Sequence, residues 1–296
     1  MSTVLRLGYC GFEVSDLAAW ESFGRDLVGL HMERHSPALL TARMDAHTRR
    51  LIFTPGARDD LIYAGWEVAD SRALETLAAR LAGAGYAVTC GSTEAARLRG
   101  VDEFISFADA AGNPLELFCA PALALTPCKT GLHGSFVTGA KGLGHYVAGH
   151  PDLAAARALY CDILGLRVSD YIFIPNPDGS ALRAMFLHAN ARHHSVALVE
   201  TELPQNIDHF FLQMQEFEDV GSAYDRFIES PYPLRNSLGQ HPNDHAISFY
   251  AATPARVSIE IGWSNFDLVE AGWTTRTFDR TSVWGHRSGK ISKLMG

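Results

Sequence analysis

The feature that most restricts the fold of this chain is an internal repeat. The stretch LGYCGFEVSDLAAWESFGRDLVGL near the start returns as LGHYVAGHPDLAAARALYCDILGL, with Gly8 answering Gly144, Asp16 Asp152, Asp26 Asp162 and Gly29 Gly165 at a constant offset of 136 residues. A spacing held over so many positions marks a duplicated unit. Whatever the first copy folds into, the second must fold into as well.

Each copy opens with a short alternating run, passes a Ser-Asp or Pro-Asp helix start, and continues with apolar residues at helical spacing until a Gly. Strand-type runs follow, LLTARMDA and RRLIFTPG in the first copy, LRAMFLHAN and HHSVALVE in the second. The unit is therefore βαβββ. Two more stretches have the same order: YAGWEVAD, helix SRALETLAARLAGAG and strands VTCG, ISFAD and LELF; then DHFFLQM, helix FEDVGSAYDRFIE and strands HAISFYA and VSIEIGW. Four modules make an α+β chain of two domains, expected at 1–132 and 133–296. The Pro-, Gly- and Thr-containing stretch from Pro121 to Gly142 is the natural boundary between them.

With 47% hydrophobic and 20% charged residues, the chain has material for sizeable cores without covalent staples. A formal net charge of −8, with Lys and Arg scattered, argues against nucleic acid as a partner. The start, MSTVLRLGYCGFEVSD, lacks a basic region followed by an apolar one, and no apolar run is long enough to span a bilayer, so a cytoplasmic protein is expected, not a membrane partner. The five cysteines form no C-x-x-C pair and read as small buried hydrophobes in a reducing compartment.

Histidine is the informative residue: nine of the thirteen lie after position 140. Comparing the copies shows why. Where the third module opens with Gly-His145 the first has Gly-Tyr9, and where the fourth opens with Asp-His209 the second has Ile-Tyr63. Glu260 in VSIEIGW answers Glu116 in PLELF, so the first half keeps a carboxylate without imidazoles. Two histidines and one carboxylate on separate strands suit a facial triad for non-haem Fe(II), which leaves neighbouring positions open for substrate and dioxygen; Mn(II) accepts the same donors. A structural zinc site would close those positions. One metal per chain is expected.

Other polar residues are consistent with a cavity around that site. His193 and His194 are adjacent on a strand, so only one can face inward. In HAISFYAA, Ser248 and Tyr250 share the face opposite Ile247 and Phe249. His241 and Asp244 lie in a turn-rich segment, where an imidazole with an orienting carboxylate is expected. His31, His35, His47, His133, His150, His188, His245 and His286 are read as structural or surface residues.

At this point LGHYV, RHHSVAL, IDHFFLQ, GQHPNDHAISFYA, VSIEIGW and the C-terminal SVWGHR resemble the motifs of type I extradiol dioxygenases of the vicinal oxygen chelate superfamily, notably those acting on 2,3-dihydroxybiphenyl or 1,2-dihydroxynaphthalene. The resemblance covers nearly the whole chain. It implies paired βαβββ modules in two vicinal-oxygen-chelate domains, the first metal-free, and a homo-oligomer. It also implies Fe(II) on His145, His209 and Glu260, acid–base roles for His194, His241 and Tyr250, and substrate contacts from Asn243 and Asp244. Val147, Phe186 and the neighbourhood of Thr281 are expected to wall a distal apolar pocket for a second ring. The implied reaction opens a catechol ring beside its hydroxylated carbons with both atoms of O2 retained. The alternatives on the same modules are a monocyclic catechol 2,3-dioxygenase, a glyoxalase-like metal isomerase, which needs a fourth protein ligand, and a metal-free binding protein, which has no use for the two histidines.

Overall fold

In the computed structural model of the protein, residues 3–288 are described. The expected tail beyond residue 288 lies outside them. The first module comprises β1 (Arg6–Val14), helix α1 (Leu17–Ser22), β2 (His31–Ser36), β3 (Leu39–Arg43) and β4 (Leu51–Pro55). In the second come β5 (Asp60–Glu67), α2 (Ser71–Gly83), β6 (Thr89–Cys90), α3 (Thr93–Arg99), β7 (Val101–Ala108) and β8 (Pro114–Pro121). The third holds β9 (His145–Gly149), α4 (Leu153–Arg157), β10 (Arg167–Pro175), β11 (Ala181–His188) and β12 (Val196–Val199). The fourth has β13 (His209–Gln213), α5 (Phe217–Glu229), β14 (Leu234–Gln240), β15 (Ile247–Ala252) and β16 (Ser258–Trp263), and β17 (Arg276–Phe278) follows it.

The duplicated helix starts fold identically. Asp16 accepts from the amides of Ala18 and Ala19, and Asp152 from those of Ala154 and Ala155, which satisfies donors a helix N-terminus leaves free. Both helices run on into a π-type turn, Phe23–Val28 and Ala158–Ile163, after which Gly29 and Gly165 take positive φ of 86° and 84°. Helix α2 buries Ala73, Leu74, Leu77 and Leu81, the spacing of one face, under the cap of Asp70.

Two elements depart from the sequence expectation. The run VTCG makes only a two-residue strand, because Ser92 starts a further helix, α3, by accepting from the Ala95 amide, and Gly100 ends it at φ 68°. That helix buries only Ala96, so it has no apolar stripe to announce it. Strand β17 was also unexpected; it joins β10 in parallel, and the Arg276 amide donates to Asp170.

Each half is one sheet in which two modules stand side by side: β2-β3-β4-β1-β5-β8-β7-β6 in the first and β14-β15-β16-β13-β9-β12-β11-β10-β17 in the second. The central strands of both halves pair antiparallel, β1 with β5 and β9 with β13. Buried apolar residues are continuous between the halves: the Phe12 ring lies 5.6 Å from Phe53 in its own sheet and 5.3 Å from Phe210 in the other. The Pro121–Gly142 connection is tied down by fully buried Arg192, which donates to the carbonyls of Lys141 and Val137 and to the Gln213 side chain. Among the described residues no helix is long and apolar enough to cross a membrane.

Candidate metal centre

Register brings the three predicted donors together. Strand β13 lies between β9 and β16, and its Phe211 is the pairing partner of both His145 on one side and Glu260 on the other. His209 stands two residues earlier on the same strand, hence on the same face. The close approach of β9 to β13 explains Gly144: a Cβ there would overlap the Phe211 carbonyl oxygen.

The Nε2 atoms of His145 and His209 each lie 3.3 Å from Glu260 Oε2, and all three side chains are buried. A metal with bonds of about 2.1 Å and donors at right angles needs neighbouring donors about 3 Å apart, so the set fits a facial triad. The second nitrogen of His209 is held by Asp208, Nδ1 to Oδ2 at 2.7 Å, which leaves Nε2 to face the shared point. His145 Nδ1 has no partner among the described residues; its ring is fixed instead by stacking on Phe211 at 4.5 Å and on His194 at 4.0 Å. Burial pushes His145 down to about 4. Burial also opposes charge on His209, but hydrogen bonds to Asp208 and Glu260 outweigh it and raise the imidazole to about 9. Glu260 is held well below the usual carboxylate range because its three histidine neighbours, His145, His209 and His241, overcome the cost of burial.

The other predicted residues line one cavity of about 670 Å³ together with the triad: His194, His241, Asn243, Asp244, Tyr250, Val147, Phe186 and Thr281 all face it. His193 does not; it is completely buried behind His194, its Nε2 2.8 Å from Asp170 Oδ2 and its Nδ1 3.1 Å from His194 Nδ1. His193 Nε2 donates to Asp170, and where the Nδ1 pair is bridged by a proton on His194, His194 Nε2 is bare. Burial, reinforced by His145 and His193, holds His194 well below the ordinary histidine value, so it is neutral. The Asn243 Nδ2 is buried without a partner among the described residues.

Two expectations are corrected here. Asp244 does not orient His241: it accepts from the Ala246 amide and Asn265, while His241 Nδ1 donates to the Thr281 carbonyl at 2.7 Å. The turn at 242–245 directs Asp244 toward His194 instead, 4.0 Å away. His286, read with seven other histidines as structural or surface, is not a surface residue away from the site. It lines the cavity, its ring 4.3 Å from that of His241, and Ser248 beside it donates to Glu260 Oε1 at 2.6 Å.

The first half repeats this register with other side chains. On β5, Gly65 pairs with Tyr9 on one side and Glu116 on the other, and Tyr63 stands two residues earlier. The Tyr9 and Tyr63 rings are 5.8 Å apart, as are those of His145 and His209. The Tyr9 hydroxyl donates to Glu116 at 2.7 Å, and Arg99 of α3 donates to both Glu116 oxygens at 2.7 and 2.5 Å while its guanidinium lies 4.0 Å from the centre of the Tyr63 ring. A covalently attached cation thus sits where the other half gathers metal donors.

Paired βαβββ modules carrying a buried His/His/Glu cup define a metal-dependent class, and the sequence model described as the Glyoxalase/Bleomycin resistance protein/Dioxygenase superfamily matches residues 142–261, while that of dihydroxybiphenyl dioxygenase BphC D1 matches residues 7–56. The chain is 41% identical to the biphenyl-2,3-diol 1,2-dioxygenase of Paraburkholderia xenovorans (strain LB400) over 97% of its length and 96% of the relative's. It is 36% identical to a 1,2-dihydroxynaphthalene dioxygenase of Pseudomonas putida, covering 91% and 90%. A crystal structure of catechol 2,3-dioxygenase superposes with a TM-score of 0.92 at 30% identity, over 98% of this chain and 96% of that one. The protein belongs to the extradiol dioxygenase family.

Proposed function

We propose that the protein opens the ring of a bicyclic catechol, of the 2,3-dihydroxybiphenyl or 1,2-dihydroxynaphthalene type, next to its hydroxylated carbons, using Fe(II) held by His145, His209 and Glu260. The observation that carries this reading is one cavity lined both by three converging metal donors and by apolar Val147, Ile172, Leu182, Ala184 and Phe186, which we take as the wall for a second ring. In this reading residues 133–296 form the catalytic domain and 1–132 a metal-free one. Fe(II) would supply the redox path between a catechol and dioxygen.

The chain's own residues do the rest. Neutral His194, with Nε2 bare, takes a catechol proton and returns it as the ring opens. Tyr250, pushed well above its ordinary value by burial and by Glu260, keeps its proton and has one to donate to a substrate oxygen; its hydroxyl lies 2.8 Å from His241 Nε2. The partnerless Asn243 amide offers a further donor to the substrate. Burying a second ring against the apolar wall removes on the order of 100 Å² from water, which at about 25 cal/mol/Å² is roughly 2.5 kcal/mol.

The test is kcat/KM for 2,3-dihydroxybiphenyl, 1,2-dihydroxynaphthalene and plain catechol on one preparation reconstituted anaerobically with Fe(II). A bicyclic substrate should lead catechol by at least about tenfold, allowing for incomplete burial. A preference for catechol itself would assign the enzyme to the monocyclic class.

A further inference from the structure

The segment after β17 is zipped along β14. The Val283 amide donates to the Gln240 carbonyl at 2.7 Å, the Gln240 amide to the Trp284 carbonyl at 3.0 Å, and the Ser237 amide to the Arg287 carbonyl at 3.1 Å. Gly285 makes the tight seat, since it has φ of 72° and a Cβ there would overlap the Leu238 carbonyl. Seated in this way, the strap delivers two groups to the metal cup. The Thr281 carbonyl accepts from His241 Nδ1. His286 hydrogen-bonds through Nε2 to the Ser248 hydroxyl at 3.2 Å and the Ser248 carbonyl at 3.1 Å, and through Nδ1 to the Ser282 hydroxyl at 2.7 Å.

The directions form a consistent chain. The Ser248 hydroxyl donates its one proton to Glu260 Oε1 at 2.6 Å, so toward His286 it is an acceptor and His286 Nε2 must carry the hydrogen. Nδ1 is then the acceptor for the Ser282 hydroxyl. Glu260 Oε1 is thereby occupied by Ser248, with His241 Nε2 at 3.2 Å, while Oε2 alone faces the two histidine ligands. We infer that His286 is a positioning residue for metal retention: through Ser248 it fixes the rotation of the Glu260 carboxylate, so that residues 281–287 act as a clamp on the metal. This rests on the reading of His145, His209 and Glu260 as the metal ligands. His286 itself touches none of the three.

The test uses the full chain, stripped of metal and titrated anaerobically with Fe(II) against a chromophoric chelator, beside Co(II) loading read from its visible bands. His286→Phe keeps a ring against His241 but none of the three hydrogen bonds; acting through Ser248 rather than on Glu260 directly, its loss should weaken Fe(II) binding about 10-fold, the lower end of the cost of losing a ligand's own outer partner, with altered Co(II) bands. The melting temperature of the metal-free protein should be unchanged. His286→Gln restores an N–H near the Nε2 position and should recover part of the affinity, whereas Gly285→Ala, which keeps every bonding side chain but unseats the strap, should lower it. Equal Fe(II) affinity and Co(II) bands in His286→Phe and the wild type overturn the clamp alone. A wild type that binds no Fe(II) overturns the metal reading and the clamp with it.

Discussion

If His145, His209 and Glu260 hold the metal as proposed, His209 makes metal binding a proton exchange. In the metal-free protein its imidazole is raised to about 9 while His145 is lowered to about 4 and Glu260 is ionised, so at neutral pH the cup holds one proton, on His209. A metal must displace it. Two pH units at about 1.36 kcal/mol each make the displacement cost about 2.7 kcal/mol at pH 7, so apparent affinity there should be about 100-fold below its alkaline limit and rise about tenfold per pH unit up to about pH 9. Calorimetric titration with Fe(II) under anaerobic conditions, repeated in two buffers of different ionisation enthalpy, counts the protons released, and close to one per metal is expected at pH 7. Asp208→Asn removes the carboxylate that raises His209 and should reduce both the slope and the proton count. The sign for stability follows from the same group: a raised folded-state value stabilises the metal-free protein fully below about pH 6.5, and that contribution is lost as pH climbs through about 9. Affinity independent of pH between 6.5 and 8.5, with no proton released, would refute the reasoning.

Alanine at His145, His209 or Glu260 should abolish bound metal and turnover together while circular dichroism keeps the two-sheet signature; full metal occupancy in His209→Ala contradicts the ligand assignment. His194→Ala should retain metal and bind catechol yet lose about 10²- to 10⁴-fold in turnover, the range for a positioned proton-transfer group, and turnover within about threefold of wild type would move that role elsewhere. Glu116→Gln should leave metal content unchanged but destabilise the fold by about 3 kcal/mol in denaturant, because Arg99 is left charged without its carboxylate. Phe186→Ala should erode the preference for a bicyclic over a monocyclic catechol, measured as the ratio of kcat/KM values, with little change for catechol itself.

The sequence revealed most where it could be compared with itself. His145, His209 and Glu260 were legible because Tyr9, Tyr63 and Glu116 occupy the same register, and the period-two alternation already placed Ser248 and Tyr250 on one face. His286 was not legible: it lies past the last module, so nothing in the other half answers it, and its approach depends on the turn at Gly285. Arg99 stayed hidden because α3 buries so little, although it fills the β6–β7 connection where the fourth module has the β14–β15 loop that brings in His241. Asp170 was not legible because its partner, His193, is the histidine of the pair that turns away from the cavity, and its value as a support shows only once His194 lines the cavity. Side chains that act from irregular connections leave no periodic trace.

Arg99 also makes the two halves unequal in what they draw from their surroundings. The cup of the first half is neutralised by the chain itself, at synthesis and permanently, whereas the second half gathers two imidazoles and a carboxylate whose cation, on the proposed ligand set, comes from the medium. Metal scarcity therefore cannot touch the region around Glu116, but it removes a bound ligand, and the stabilisation that mass action gives such a ligand, from the strands around Glu260. Under chelation the second sheet should be the first to exchange its amide hydrogens, led by β9, β13 and β16, while the first sheet stays protected and serves as the platform on which the site is rebuilt when metal returns.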